Sequence, residues 1–368
     1  MKRILLGGLL AVVAGIVVVG AGLEMDGIFE ISVLGDDMAR DLIRTDDGYY
    51  VLVGDGNGRS EAVAVMVALN GLKGVVWERV LSDQFARMFS AVVQLEDGGI
   101  VAGGSAFYSI YSGDENVWLV KFDRQGDTIW EKQYGKTSEQ NDVYAMAPTS
   151  DGGFIVSALK YPHVGGDPAT WLLKLDADGN LIWESTFTGG VGLSVIELAG
   201  GDFLISGRQD IDQSFNSYVW LLRVNPSGAA VWERVYTFLD IYVQLENAVV
   251  EAPNGDFLIA GKQFVLRTDS SGLSLWDRPY QNRFLYSAAF TDSGKLAVAG
   301  AYNDMWSEDH AFVGLLSDDG STIYWEDIEL LDSWAATVIP DAYGGVNIVA
   351  TISLSYDETR MVLARFFE

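Results

Sequence analysis

Short apolar runs separated by glycine-rich turns recur along this chain in one fixed order. The first half of the pattern is clearest at residues 151–158, where Asp-Gly-Gly precedes the run Phe-Ile-Val and the small residues Ser-Ala. The second half is clearest at residues 171–184, where Trp-Leu-Leu-Lys-Leu leads through a turn to Leu-Ile-Trp-Glu. Apolar runs of about 4–8 residues bounded by turn residues are typical of strands. The pattern therefore predicts an all-β protein.

The spacing of the repeat predicts how many units the chain contains. Counterparts of the Asp-Gly-Gly turn begin at Asp47, Asp97, Asp151, Gly200, Asn254, Ser293 and Tyr343. Most successive starts lie about 50 residues apart, which accommodates four strands of about 5–6 residues with their turns. A four-stranded unit of this length is typical of a β-propeller blade. We therefore predict one seven-bladed β-propeller over residues 25–368.

Glycines recur in the turn that precedes the outermost strand of each blade, as Gly126, Gly179, Gly228 and Gly272. We expect positive φ at these positions, because glycine adopts that conformation without steric cost. The aspartate and asparagine residues that flank the glycines favour the same turn, since their side chains bond to the turn backbone.

The last copy of the repeat contains a third strand at residues 362–367 but no fourth. The missing sequence is found near the other end of the chain, where residues 28–35 read Ile-Phe-Glu-Ile-Ser-Val-Leu-Gly and match Ile-Trp-Glu-Lys-Gln-Tyr-Gly at residues 129–135. We expect residues 29–35 to pair with residues 362–367. This N-terminal strand would close the ring and leave no open sheet edge between the termini.

Residues 1–24 do not belong to the repeat. Met-Lys-Arg is followed by an uncharged run over residues 4–23, which as a helix would rise roughly 30 Å, the thickness of a bilayer core. Small residues at 19–21 fit a cleaved signal peptide, whereas the basic start before an acidic remainder fits an uncleaved membrane anchor. Both interpretations predict an N-terminal hydrophobic helix and an extracytoplasmic protein, either secreted or anchored at the cell surface through this segment alone.

Charge and composition exclude several classes of function. The chain carries 51 acidic and 24 basic side chains, a formal net charge of −27, and this opposes binding to nucleic acid or anionic membranes. The absence of cysteine excludes disulfides, thiol catalysis and cysteine-ligated metal sites. Two histidines, His163 and His310, leave little room for histidine-based catalysis.

The quoted motifs support a family resemblance over roughly residues 28–368. The repeat resembles that of secreted bacterial and archaeal β-propellers, in which DGGY is followed by WLxKLDxxGNxxW and YG. More distantly it is similar to the quinoprotein propeller repeat, whose Asp, Gly and Trp dock one blade on the next. The resemblance implies a propeller fold and an extracytoplasmic location, but no single activity. The vicinal cysteine pair of quinoprotein enzymes is impossible here, because the chain has no cysteine.

Two sets of residues recur at fixed blade positions. The aromatic set is Trp77, Trp130, Trp183, Trp232, Trp276 and Trp325, with Phe29 as the seventh member, and we expect it to pack blade against blade. The acidic set that follows is Glu30, Glu78, Glu131, Glu184, Glu233, Asp277 and Glu326. Five blades carry a base on the preceding strand, namely Lys121, Lys174, Arg223, Arg267 and Arg365. We expect cross-strand ion pairs between these acids and bases rather than a cation site.

Familiar catalytic and metal-binding motifs are absent from the sequence. Residues 176–180 resemble the start of a calcium loop, but Phe187 occupies the position that requires a bidentate glutamate. The chain contains no GxSxG, HExxH or P-loop pattern.

The segments between the second and third strands of the blades vary most. Variable loops on a rigid scaffold are where binding residues concentrate, although tolerated insertions would vary in the same way. We predict ligand contacts at Tyr108, Tyr111, Tyr161, Arg208, Trp306 and His310. We predict a weakly held cation, with calcium as the candidate, at Asp210, Asp212, Asp304 and Asp309.

The sequence favours a non-catalytic binding or scaffolding propeller that uses the face formed by these loops. Its ligand would be a protein, a peptide or a carbohydrate. The alternative is a propeller enzyme, either quinoprotein-like or a glycan-active hydrolase or lyase. An enzyme of that kind would need convergent carboxylates with shifted pKa values, and the inner strands offer mostly apolar and small residues.

Overall fold

The structure, a computed structural model, describes most of the chain. The described residues are 4–6, 9–14, 24–34, 36–56, 62–71, 74–82, 86–107, 115–136, 139–162, 166–210, 216–242, 248–303, 309–328, 333–341, 344–355 and 358–367. They divide into two compact units, one comprising Met1–Val80 with Ala252–Glu368 and the other Leu81–Glu251. Their regular elements are β-strands, and they include no helix long and apolar enough to cross a membrane.

The unit Leu81–Glu251 is built from antiparallel sheets whose strands follow one another in chain order. Its strands are β8 (Arg87–Gln94), β9 (Ile100–Phe107), β10 (Glu115–Phe122), β11 (Thr128–Tyr134), β12 (Glu139–Gln140), β13 (Val143–Pro148), β14 (Phe154–Pro162), β15 (Ala169–Leu175), β16 (Leu181–Phe187), β17 (Val191–Glu197), β18 (Phe203–Asp210), β19 (Asn216–Val224), β20 (Ala230–Tyr242) and β21 (Ala248–Glu251). The sheets are β8 to β11, β13 to β16 with β12 added beside β14, and β17 to β20.

The other unit repeats the arrangement with two variations. Its strands are β1 (Ile4–Leu6), β2 (Leu9–Ala14), β3 (Glu24–Ile31), β4 (Asp37–Arg44), β5 (Tyr50–Gly56), β6 (Val63–Leu69), β7 (Val75–Leu81), β22 (Phe257–Thr268), β23 (Ser274–Phe290), β24 (Leu296–Asn303), β25 (Asp309–Leu316), β26 (Thr322–Asp327), β27 (Ser333–Pro340), β28 (Val346–Ser355) and β29 (Glu358–Phe367). One sheet is β4 to β7, whereas β22 to β26 are joined because β23 is long enough to pair with both β22 and β24. The last sheet has the order β1-β2-β3-β29-β28-β27.

The third strands are largely buried, which explains their mostly apolar sequences. Every residue of β10 and of β15 is buried, and β15 packs on both faces against neighbouring sheets of the same unit. The outermost strands β11 and β16 instead alternate between exposed and half-buried residues. The core of each unit therefore lies between sheets, where residues of adjacent sheets meet face to face.

The aromatic residues of the outermost strands pack against the next sheet, as expected. The Trp130 indole donates to the carbonyl of Ala177 at 3.4 Å, and the Trp183 indole donates to that of Pro226 at 2.9 Å. Both carbonyls belong to the turn before the next outermost strand. The glycines of that turn have positive φ, as predicted, with 71° at Gly179 and 85° at Gly228.

The expected pairing of bases with acids on the outermost strand is wrong. Each base reaches the acid of the Asp-Gly-Gly turn or its neighbour instead, in the pairs Lys121–Asp97, Lys174–Asp151, Arg223–Asp202, Arg267–Asp256 and Arg365–Asp341. The acids of the outermost strand accept hydrogen bonds from third-strand indoles, as Trp171 donates to Glu184 at 2.8 Å. The reason is register, because Lys174 lies directly opposite Trp183 and Glu184 lies opposite Leu173.

The N-terminal segment differs from the expected helix. Strands β1 and β2 pair with each other, and β2 pairs with β3 through Val12, Val13 and Ala14. Apolar and β-branched residues suit a strand as well as a helix, so the free edge of β3 offers them backbone partners. Strand β3 in turn pairs antiparallel with β29, from Glu24 opposite Phe367 to Ile31 opposite Met361. The pairing was expected for residues 29–35, but the paired segment is Glu24–Ile31, which begins five residues earlier and ends at Ile31.

Candidate functional site

The structure describes four of the predicted site residues in full. Tyr161 lies in β14, Arg208 in β18, and Asp309 and His310 in β25. The predicted residues Tyr108, Tyr111, Asp212, Asp304 and Trp306 lie outside the described residues, as does the side chain of Asp210. Within the described part of the chain, no three acidic or histidine side chains are grouped so that they could hold a metal ion.

His310 belongs to an aromatic cluster. Its imidazole stacks on Tyr302 with 5.1 Å between ring centroids. The Arg283 guanidinium lies over the same tyrosine, 5.0 Å from its centroid, and also binds Asp327 at 2.7 Å. These contacts give His310 a packing role, and its predicted ligand contact stays a prediction.

A pair of carboxyl groups at the loop end of β10 and β13 forms the most unusual polar site among the described residues. Glu115 is the first residue of β10, and Asp142 directly precedes β13. The Asp142 carboxyl group and the Gln140 side chain both lie close enough to the Glu115 carboxyl group to shift its pKa. Both acids lie at the end of the sheets from which the variable second-to-third-strand loops emerge. We call Glu115 and Asp142 the acid pair.

The repeat does not account for the acid pair. The first strands whose pairing is described contain a β-bulge, and Asp142 directly precedes Val143, where the register shift of β13 begins. The same position is occupied by apolar residues in the other sheets where it is described, namely Met38, Met88, Val191, Phe284 and Trp334. Glu115 precedes Trp118 by three residues, where other copies of the repeat have Pro168, Ser217 and Asp309. Aligning the copies position by position would therefore have found Asp142 from the sequence, whereas the Glu115 position is variable.

Asp142 is held in place by donors from three elements. Ser105, in β9, donates to Oδ1 at 2.8 Å, and Gln140, in β12, donates to Oδ2 at 3.1 Å. The main-chain carbonyl of Asp142 accepts from the Leu159 amide at 2.7 Å. These three hydrogen bonds fix the position of Asp142, and all three donors are uncharged groups.

Burial decides the protonation of Glu115. The residue is 8% exposed, and burial, followed by the neighbouring Asp142 carboxylate, raises the pKa of Glu115 to about 9. The Gln140 contact acts in the opposite direction, but it is the smaller effect. Glu115 therefore keeps its proton at neutral pH.

The predicted residue Tyr161 lies beside the acid pair. It pairs in register with Gln140, and its side chain is 40% exposed. The adjacent Lys160 ammonium lies 3.8 Å from Glu139 and over the Trp171 ring, 4.7 Å from its centroid. The structure thus places a predicted loop tyrosine opposite Gln140, two residues from Asp142 in the sequence, and neither acid of the pair was among the predicted ligand contacts.

A second acidic place lies at the opposite end of the same sheets. A cavity of about 500 Å³ is lined by Glu96, Asp97, Asp151, Gly152, Asp176, Ala177 and Asp178. Its acids are occupied by the fold, since Asp97 binds Lys121 at 2.5 Å and Asp151 binds Lys174 at 2.9 Å. Burial opposes ionisation of Asp151, but hydrogen bonds from Thr149 and Lys174 outweigh it and lower its pKa to about 2. We therefore interpret this cavity as part of the turn architecture.

Comparison with known proteins identifies the fold. A scan against models of protein families finds no match, and a search of curated proteins finds none. Among solved structures, the chain is similar to the WD40 β-propeller domain of Doa1, with a TM-score of 0.59, 13% sequence identity, and coverage of 93% of this chain and 96% of that one. It is also similar to a protein of unknown function from Dyadobacter fermentans DSM 18053, with a TM-score of 0.56, 13% identity, and coverage of 94% and 99%.

A third similar structure contains a complex. It is BBS1N in complex with ARL6DN, with a TM-score of 0.53, 9% identity, and coverage of 90% of this chain and 93% of that chain. Identities this low establish architecture alone. The described strands and these similarities together identify an all-β protein with a β-propeller fold.

Proposed function

We propose that this protein is a binding or scaffolding propeller that works outside the cytoplasm and binds its ligand at the loop end of the sheets. The observation that carries the proposal is the acid pair at this end, in which Asp142 stands where the other described sheets have apolar residues. Burying two carboxyl groups costs folding free energy, because desolvation disfavours the charged forms. A repeat that serves the fold alone gains nothing from this loss of folding free energy. We therefore interpret the acid pair as part of a ligand-binding site.

The whole molecule supports the same proposal. A net charge of −27 favours basic partners and opposes nucleic acid, leaving proteins, peptides and carbohydrates as ligand classes. BBS1N, a structurally similar protein, was solved bound to ARL6DN, which makes a protein or peptide ligand reasonable for this fold. We further propose that residues 1–24 act as a signal peptide or membrane anchor, as in the secreted repeat family that the sequence resembles. Fractionation of expressing cells tests this, and recovery in the cytoplasm would overturn it.

We also propose a ring of seven blades that is completed by β3. Seven copies of the glycine turn and the pairing of β3 with β29 support this arrangement. We propose calcium only as a weakly held ion at the four aspartates predicted from the sequence.

A second candidate function is an enzyme that uses the acid pair. It is favoured by the raised pKa of Glu115, since a carboxyl group that keeps its proton at neutral pH is suited to general acid catalysis. Paired carboxyl groups act as acid and base or nucleophile in glycoside hydrolysis.

Panel screening with matched variants tests the binding proposal. Full-length protein is screened against a glycan array and a peptide library, together with the double variant Glu115→Gln/Asp142→Asn. The control is Asp127→Asn/Asp178→Asn, which changes two exposed turn acids at the other end of the same sheets. We expect binding to be lost in the acid-pair variant and kept in the control. Binding that both variants retain, or both lose, would contradict the proposal, and turnover of a panel member would favour the enzyme.

A further inference from the structure

We infer that the acid pair binds an ammonium group carried on a flexible aliphatic stem, as in a lysine side chain of a peptide or protein ligand. The inference rests on the proposed binding function and specifies the chemistry of its ligand. It is derived from the polar atoms left unsatisfied at the pair, the charges around it and the depth of the site.

The unsatisfied atoms at the pair are acceptors. Oε2 of Glu115 is buried and has no hydrogen-bond partner among the described residues. Oδ1 of Asn141 is in the same situation, in a residue with no exposed surface whose Nδ2 donates to the Glu115 carbonyl at 3.1 Å. Buried acceptors without donors are costly, so the ligand that completes this site must bring N–H or O–H groups. An ammonium group supplies three donors and accepts nothing.

The charges that face the pair require the ligand to be a cation. Within the described part of the chain, neither Glu115 nor Asp142 is ion-paired with a basic side chain. The nearby cations are engaged with other acids, because Lys160 faces Glu139 at 3.8 Å and Arg87 binds Glu131 at 2.5 Å. The acid pair is therefore a negatively charged site without its own counter-ion. The Lys160 ammonium beside Glu139 is an example, within this chain, of such a group next to a carboxylate at this end of the sheet.

The depth of the site selects the shape of the ligand. Glu115 is 8% exposed and its Oε2 is buried, whereas Asp142 and Gln140 are partly exposed, so an ammonium group would approach the pair from the Asp142 side. A lysine ammonium is a compact charge on a four-carbon stem, but the ammonium of an amino sugar is attached directly to its ring. The exposed Tyr161 ring, opposite Gln140, offers an apolar surface for the stem. A calcium ion would require about 6–8 oxygen ligands, more than this pair provides.

Proton release gives the binding event a distinct signature. The proton that Glu115 keeps at neutral pH competes with an ammonium for the same oxygens. Binding of the cation therefore favours loss of that proton. The affinity should rise up to tenfold per pH unit between about pH 6 and the Glu115 pKa of about 9.

Calorimetric titration of full-length protein with Nα-acetyl-lysine amide tests the inference. The same titration in two buffers of different ionisation enthalpy measures the protons released on binding. We expect release of close to one proton at pH 7, no binding of the neutral diacetylated analogue, and at least tenfold weaker binding of glucosamine. Glu115→Gln should abolish proton release and Asp142→Asn should weaken binding at least tenfold, whereas the control Asp178→Asn should change neither.

The outcomes separate this inference from the function on which it rests. Equal binding of the acetylated and free amines, or unchanged binding by Asp142→Asn, would overturn the ammonium site. If the probe does not bind but the panel screen still finds a ligand that depends on the acid pair, the proposed function stands and the lysine chemistry is wrong. Tighter binding of glucosamine would assign the site to an amino sugar and likewise overturn the inference.

Discussion

At the scale of single residues, Lys174 and Glu115 represent two opposite ways of burying an ionisable group. Lys174 is 4% exposed and binds Asp151 at 2.9 Å, a carboxylate whose pKa is lowered to about 2. Glu115 has no cation partner and instead keeps its proton, with a pKa raised to about 9. The first arrangement recurs from sheet to sheet and belongs to the fold, whereas the second is found once among the described residues and calls for a functional explanation.

Glu115 should make stability depend on pH. Its pKa rises on folding from the usual 4.5 to about 9, so the folded state binds the proton more tightly than the unfolded state. The stabilising contribution is complete below about pH 4.5 and is lost as the pH rises toward 9. We expect Glu115→Gln to raise the free energy of unfolding by about 1–3 kcal/mol at pH 8 and to flatten this dependence.

Urea denaturation at pH 5, 7 and 9 measures the effect. The exposed-site control Asp178→Asn should follow the wild-type profile. If the free energy of unfolding of wild type and of Glu115→Gln changes with pH in the same way, the pKa of Glu115 is not raised on folding.

At the scale of elements, the bulge in the first strand explains the small residues that end the second strand. A side chain at Gly207 would place its Cβ 1.9 Å from the carbonyl oxygen of Val191, the residue before the bulge. Gly54, Gly104 and Gly300 stand in the same relation to their own first strands. The small residues of the repeat are thus required by close backbone approach.

Gly207→Ala should destabilise the protein by roughly 2 kcal/mol or more, because the added methyl group overlaps a backbone atom that cannot rotate away. Gly200→Ala is a matched control, since nothing lies within 4 Å of a Cβ built there. Thermal unfolding should show a clear decrease in Tm for the first variant and a change of about 1–2 °C at most for the second. A similar Tm for both variants would mean that the bulge is not formed.

At the scale of the whole molecule, β3 joins sequence ends that lie more than 330 residues apart. Glu30 and Val362 are direct partners, and the Phe29 side chain packs in a core with Leu363. Without β3, the outer edge of β29 would expose unpaired backbone groups and a row of apolar residues.

Removing residues 1–36 should therefore destabilise the protein strongly and promote aggregation, whereas a variant that begins at Glu24 and retains β3 should stay folded. Light scattering and thermal unfolding of the two variants measure the difference. Identical behaviour would show that β3 does not complete the sheet.

The sequence by itself determined the features that depend on local chain geometry. Strand and turn positions follow from apolar runs and glycines, since Gly179 and Gly228 take the positive φ that their turns require. Tryptophans at one repeat position predicted packing between sheets, because a large ring repeated at an outer strand must be covered by its neighbour. The fold class followed from these signals together.

Only the tertiary structure decided which charged groups meet. Lys174 binds Asp151 rather than Glu184 because strand register turns its ammonium toward the Asp-Gly-Gly turn, and the sequence does not specify that direction. The apolar N-terminal residues form β2 because β3 provides an unpaired edge, a partner that their own sequence does not reveal. Glu115 and Asp142 are 27 residues apart and come into contact only when two neighbouring sheets pack together. Local propensity acts within a few residues, whereas burial and pairing depend on distant parts of the chain.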